Sequence, residues 1–237
     1  MAESGQESPA VGVGPWTGEW PPPGSDEAAR LDPDLLRDGD RRNVVDRYRY
    51  WRHEAIVADL DGRRHAFHVA IENWAHDLNI GSVVRTANAF LAAEVHIVGL
   101  RRWNRRGAMV TDRYQHVRHH DDVAGLSTWA SAAGLPLVGV DNQPGSLPLE
   151  STALPYACVL VFGQEGPGLS AEAREACAMR VSITQFGSTR SINAGAAAAI
   201  AMHAWVREHA KLCWRAEPSR TDLPTSRPPG GPYGRKT

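Results

Sequence analysis

From His65 onward the chain alternates short apolar runs with stretches of helical period, and this alternation restricts the possible folds more than any other feature. Apolar runs at 66–71, 95–98, 137–140, 157–162 and 180–183 have the length and composition of buried strands. Between the first two, Ile80, Val83, Val84, Ala87 and Leu91 share one face of a helix predicted over 79–91. Further helices are predicted over 123–133, 171–178 and 191–212. Strands alternating with helices imply an α/β fold, a mostly parallel sheet with helices on both faces. Ligands of such sheets sit beyond the carboxyl ends of the strands, so functional residues belong in the loops that follow strands.

The 237 residues suit one domain with a small appendage. Residues 1–25, rich in Pro and Gly, read as a disordered tail, with Trp16 and Trp20 unusual in it. Residues 26–62 read as a helical extension, helical from 34 to 60 with Gly39 read as an interruption. That extension is either an amphipathic helix packed on the main domain, the favoured reading, or an RNA-facing appendage using its arginines and Tyr48, Tyr50 or Trp51. The main domain spans 63–215, and 216–237 read as a second disordered tail. Cys158, Cys177 and Cys213 form no CxxC, which argues against a disulfide framework or a zinc knuckle. Neither a secretory signal pattern nor a membrane-length apolar run occurs, so a soluble cytoplasmic protein without a membrane partner is expected. The formal net charge is −1, so any nucleic-acid signal must be local.

Three post-strand loops carry chemistry. The first, 72–81, leads into a helix that Asn79 could cap and that carries Arg85, Thr86 and Asn88; Arg85 suits an anion or a plain surface ion pair. The second, 162–170, sets Glu165 among three glycines, with Ser170 placed to cap the next helix. Glycines there let backbone pack against a flat ligand, and Glu165 is either held for chemistry or satisfies nearby backbone donors. The third, 183–193, precedes a helix whose first turns are only Ala and Gly, which suggests a closely passing backbone or simply a good helix former. No Gly-Lys-Ser/Thr phosphate loop and no GxGxxG after the first strand occur, which disfavours nucleoside triphosphates and a conventional dinucleotide fold.

In this order the loops resemble the three motifs of the SpoU/TrmH-like ribose methyltransferases, a family of the SPOUT superfamily. Asn79, Gly81, Arg85, Thr86 and Ala87 carry the first motif, Phe162-Gly163-x-Glu165-x-x-Gly168-Leu169-Ser170 the second, and Ser191-Ile192-Asn193 before a small-residue helix the third. The resemblance runs from about residue 67 to 205. It implies a C-terminal deep trefoil knot, a homodimer and S-adenosylmethionine as methyl donor. The chain departs from the family at Asp77-Leu78, where Asp-Pro is usual, and at Ile183-Thr184-Gln185, where Ile-Pro-Met is usual. Backbone contacts to the cofactor survive the second change more readily than side-chain contacts.

The resemblance implies that Gly163, Ile183, Gln185 and Ile192 line the cofactor pocket and that Arg85 is the catalytic arginine. An Arg, with a pKa above ~12, is a poor base, so Arg85 is read as a clamp on the phosphate beside the target ribose. Glu165, Ser191 and Asn193 are expected to orient Arg85 and its loop, and Asn79 to order the first motif. The implied substrate is a ribose 2′-hydroxyl in structured RNA, with transfer RNA favoured over ribosomal RNA. A non-catalytic RNA-binding protein of the same fold is the alternative; intact Arg85, Glu165, Ser191 and Asn193 argue against it.

A local basic run fits an RNA partner. Arg101, Arg102, Arg105, Arg106, Arg113 and Arg118 face a single acid, Asp112, with Trp103 and Tyr114 interleaved as stacking platforms. His116, His119 and His120 have no carboxylate or Cys partner at matching spacing, so no metal is expected and they are added to the RNA surface.

Overall fold

The computed structural model describes residues 12–75 and 79–211, so the predicted C-terminal tail lies outside the described residues. The chain divides into two compact units, one running to Ile56 and one from Val57 to Lys211.

In the first unit Ser25 caps helix α1 (Asp26–Arg30), its hydroxyl accepting from the Ala28 N–H at 3.1 Å. Asp32 caps α2 (Pro33–Asp38), where Pro33 occupies the first turn and loses no hydrogen bond. The helix expected across 34–60 is broken in two. It stops at Gly39, at φ 89°, where a Cβ would lie 2.6 Å from the Val13 carbonyl oxygen. Asp40, fully buried, then collects the backbone N–H groups of Arg42 and Tyr50 and the Arg42 guanidinium at 2.7 to 3.0 Å. A short 3-10 turn, Asp46–Tyr48, follows before α3 (His53–Asp61) begins. Of the tail expected to be disordered over 1–25, the part from Gly12 on is held against this core. Val13 and Asp40 exchange two backbone hydrogen bonds of 2.9 Å, and Trp16 packs edge-on against Tyr50. A tryptophan anchored in this way explains an aromatic residue in so polar a stretch.

The second unit is a seven-stranded sheet with every paired strand parallel, as the alternating pattern predicts. Its elements are β1 (Phe67–Asn73), α4 (Ile80–Ala89), β2 (Val95–Gly99), β3 (Val117–His120), α5 (Val123–Ala132), β4 (Leu137–Val140), β5 (Leu147–Pro148), β6 (Cys158–Phe162), α6 (Ala171–Ala176), β7 (Met179–Ser182) and α7 (Ala194–His209). The strand order is β3-β2-β1-β6-β4-β7-β5. Side chains alternate across it. Phe67, Val69, Ile71, Leu160 and Phe162 pack with α4 and α7 on one face; Ala70, Val98, Val159 and Val161 pack with α5 and α6 on the other. Two strands escaped the sequence pattern, β3 at one edge with one apolar residue in four, and two-residue β5 at the other. The final helix starts at Ala194, not Ser191, because Asn193 is its cap.

Candidate active site

The loop after β6 is built by glycine. A Cβ on Gly163 would lie 2.0 to 2.2 Å from backbone atoms of Gly168 and Leu169, so only glycine fits. The loop folds back on itself there: Gln164 and Gly168 exchange backbone hydrogen bonds of 3.2 and 3.1 Å, and Gly166 and Gly168 turn the chain at φ 94° and 73°. Asp141, just past β4, accepts from the Leu169 N–H at 3.1 Å, and Ser170 caps α6 as expected. Buried Glu72 at the end of β1 accepts from the Ser170 N–H at 2.8 Å, while the Gln164 side chain accepts from the Trp74 N–H at 3.0 Å. Post-strand loops of β1, β4 and β6 are thereby locked together.

Against this loop lies a cavity of about 380 Å³. All four expected cofactor residues, Gly163, Ile183, Gln185 and Ile192, line it, as do Glu165 and Ser191. Asp141, Asn142 and Arg190 line it too and were not anticipated. For Asp141 and Asn142 the signal was available, since they directly follow a strand. The Gln185 side-chain oxygen is buried without a hydrogen-bond partner among the described residues. The unusual Thr184 donates its N–H and its hydroxyl to Glu150 at 2.9 and 2.7 Å, and the backbone bond is one that a proline could not make.

Beside the cavity three side chains from three loops form a chain. The Asn79 amide donates to Glu165 at 2.6 Å, and the Asn193 amide donates to the Asn79 oxygen at 2.8 Å. The Asn193 oxygen accepts from the Ala196 N–H at 3.1 Å and so caps α7. The expectation that Asn79 caps its own helix is corrected: it makes no capping bond, its side chain being taken up by Glu165 and Asn193. Gly195 keeps this junction tight, since a Cβ there would lie 3.1 Å from the Asn193 oxygen and 3.4 Å from the Ser82 Cβ. Arg85, one turn beyond Ser82, is exposed and has no hydrogen bond or ion pair among the described residues. The expected orienting bonds from Glu165, Ser191 and Asn193 to Arg85 are therefore not made.

Of the six arginines expected to contact RNA, Arg101, Arg102, Arg105 and Arg106 lie in the segment after β2, all exposed. Asn73 fixes the start of that segment by donating to the Leu100 and Arg102 carbonyls at 2.6 and 2.9 Å. Gly81 at the start of α4 lets it pack close, because a Cβ there would lie 2.8 Å from backbone atoms of 104, 107 and 108. Arg105 lies over the Trp103 ring at 5.5 Å and pairs with Asp112 at 3.5 Å. Arg113, also exposed, closes the next 3-10 turn. Arg118 is separate from them: it sits on β3, bonded to Glu94 at 3.1 Å and lying over Trp129 of α5. The three histidines do not form one surface either. His116 pairs with Asp61, His119 with the Gly99 carbonyl, and His120 is buried.

Residues 66–203, more than half of the chain, match the SpoU rRNA methylase family. The chain belongs to that family. An uncharacterized tRNA/rRNA methyltransferase of Mycolicibacterium vanbaalenii is 34% identical over 145 residues, covering 56% of this chain and 44% of the relative. Another, of Mycobacterium leprae, is 28% identical over 166 residues, covering 65% and 52%. The chain thus spans about half the length of the curated relatives it matches. Among solved structures, the SpoU methyltransferase AviRb of Streptomyces viridochromogenes, in complex with the cofactor AdoMet, is similar with TM-score 0.55 and 27% identity over 63% of this chain and 60% of that one. The A. aeolicus TrmH/SpoU tRNA modifying enzyme has TM-score 0.58 and 18% identity over 66% and 81%, a likeness of fold. No helix among the described residues is long and apolar enough to cross a membrane.

Proposed function

We propose that the chain is an S-adenosylmethionine-dependent methyltransferase acting on a ribose 2′-hydroxyl of a structured transfer or ribosomal RNA, and that it works as a cytoplasmic homodimer. The observation that carries this reading is the cavity beyond the carboxyl ends of β4, β6 and β7, walled by the glycine loop and adjoined by the Glu165–Asn79–Asn193 chain. Its volume is within the ~300–1,000 Å³ usual for small-molecule sites. The lining chemistry fits the cofactor: Asp141 and Glu165 supply carboxylates suited to an ammonium or sulfonium, and the unpartnered Gln185 oxygen can accept from an amino group. The AdoMet complex of AviRb supports the same choice. The deep knot belongs to this reading as well, supported by family membership.

S-adenosylmethionine supplies an already electrophilic methyl group, so the protein's task is chiefly placement. Gly163, Ile183, Gln185 and Ile192 hold the donor. Asn79, Glu165 and Asn193 fix the three loops against one another, with Ser191 beside them in the cavity wall. Arg85, without a hydrogen bond or ion pair among the described residues, clamps the phosphate next to the target ribose and stabilises negative charge developing on the attacking oxygen. Arg101, Arg102, Arg105, Arg106 and Arg113 bind the RNA backbone, while Trp103, half-buried against the core under Arg105, supports their loop rather than offering the stacking face expected of it.

The test is transfer of labelled methyl to RNA from cells lacking this protein, with Arg85→Ala alongside and products digested to nucleosides. A 2′-O-methyl nucleoside made by the wild type alone is expected, and the size class of labelled RNA names the substrate. Cofactor binding with no labelled RNA would point to a non-catalytic RNA-binding role, and a methylated base would refute the ribose assignment.

A further inference from the structure

On the sheet face covered by α5, near the amino ends of the strands, three side chains from separate segments converge. The register pairs Val69 with Val95 and Ala70 with His96, which sets His68 of β1, Glu94 just ahead of β2 and His96 of β2 side by side. His68 Nδ1 lies 3.1 Å from His96 Nε2, and His96 Nε2 lies 3.9 Å from Glu94 Oε2. The three ligand atoms all lie within 4.8 Å of one another. We propose that His68, Glu94 and His96 form a binding site for a divalent cation of zinc-like chemistry, distinct from the cofactor cavity.

Two imidazoles and one carboxylate are a donor set that zinc accepts, with metal–nitrogen distances of ~2.0–2.1 Å. Tetrahedral ligands at that radius stand roughly 3.3 Å apart, so the two nitrogens, 3.1 Å apart, are already at bridging distance, and the carboxylate oxygen, 3.9 Å from His96 Nε2 and within 4.8 Å of the His68 nitrogen, needs to close by roughly 0.5–1.5 Å. The surroundings orient the set as outer partners of metal ligands do. His96 Nδ1 lies 2.9 Å from His120 Nε2, so a proton held there and shared with His120 leaves Nε2 as a lone-pair donor. Arg118 bonds Glu94 Oε1 at 3.1 Å, so the other oxygen is the one turned toward the histidines. Trp129 packs against the His96 ring at a centroid distance of 4.1 Å and closes the site from the helix side. Sequence spacing could not show this site, because its ligands come from two parallel strands and meet only through register.

The cation would tie β1 to β2 and, through His120, to the edge strand β3. It would therefore act on stability, since the cofactor cavity lies at the opposite ends of the strands. The test uses the full chain without a histidine tag, stripped with chelator and titrated with zinc against a chromogenic competitor. One zinc per chain with sub-micromolar affinity is expected, weakened at least tenfold in both His68→Gln and Glu94→Gln. Zinc should raise the thermal midpoint of the wild type by several degrees and that of neither variant. Glu94 lies at the rim of the site and its glutamine keeps the same shape, so this variant reports on the site even if His68→Gln folds poorly. Failure to bind zinc stoichiometrically, or binding equally tight in Glu94→Gln, would overturn the proposal.

Discussion

Replacing Gly163 with Ala tests whether close backbone approach shapes the cavity. The added Cβ would meet the Gly168 carbonyl carbon at 2.0 Å, its oxygen at 2.1 Å and the Leu169 nitrogen at 2.2 Å. All three are backbone atoms, so no side chain can swing aside. Restoring van der Waals contact requires the 168–169 segment to retreat by more than ~1 Å. That segment is held by the two Gln164–Gly168 backbone bonds and by Leu169 to Asp141. Overpacking costs ~1–3 kcal/mol, and weakening two of the three hydrogen bonds adds ~1 kcal/mol each, about 3–5 kcal/mol together. At ~2–4 °C per kcal/mol for a chain of this size, the midpoint should fall by about 6–20 °C. Cofactor affinity should fall at least tenfold, because Gly163 and Gly168 both line the cavity. Gly166→Ala is the matched control: its Cβ meets nothing within 4 Å, so only the strain of a residue at φ 94° remains, ~1–2 kcal/mol. Differential scanning fluorimetry and calorimetric titration with S-adenosylmethionine measure both quantities. If the two variants lose equal stability and Gly163→Ala binds cofactor normally, steric closeness is not what requires glycine at 163.

Arg85→Ala should lower methyl transfer by ~10²–10³-fold, the scale for removing one preorganised charge-stabilising donor, with the thermal midpoint and cofactor affinity unchanged; a large loss of stability would show that Arg85 has an internal partner. Asn79→Ala and Asn193→Ala should each lower cofactor affinity, and the double variant should cost less than the sum, with a coupling of ~0.5–3 kcal/mol; strict additivity would mean that the Asn79–Asn193 bond does not matter. For Asp40, burial raises the carboxyl pKa, but the bonds from Arg42 and from the Tyr50 N–H outweigh it and hold the group below the ordinary carboxylate value. Its stabilisation is therefore complete above ~pH 3.9 and is lost as pH falls through the lower folded value. Tryptophan fluorescence should show the first unit loosening in that acid window, and Asp40→Asn should weaken the unit at neutral pH while flattening its acid dependence.

The parallel sheet was legible because strands buried on both faces read as unbroken apolar runs: Cys158 to Phe162 is completely buried, and so is Leu137 to Val140. The residues expected to hold the cofactor were legible through the likeness of their loops to the family motifs, and of the four only Gly163 is a glycine. Partnership between side chains was much harder to read. Asn79 looked like a helix cap, yet its amide is used by Glu165, 86 residues away. The break between α2 and α3 was only half visible. Gly39 marked it, but Asp40 replaces the helical ladder with its own carboxylate, and a buried aspartate in a charged stretch looks like any surface acid. Arg118 was grouped with the preceding arginines by proximity in sequence, whereas the strand turns it toward Trp129 on the α5 face of the sheet.

On the proposed function, positioning and chemistry are divided among the residues around the cavity. Glu165, Asn79 and Asn193 bond to one another, and Glu72, Gln164 and Asp141 bond to backbone of neighbouring loops, so these six are committed within the protein. Such commitments fix geometry, and Glu165, Glu72 and Asp141, as carboxylates, repel an incoming phosphate. Arg85 is the contrast: a full charge on a well-packed helix, close to the junction and exposed. Leaving a cation unpaired in water has little cost, and its affinity for phosphate is then available for binding. Substitutions of the bonded six should therefore act through stability or cofactor affinity, and substitution of Arg85 through turnover with both preserved. That separation distinguishes a site built to position a substrate from a merely polar crevice.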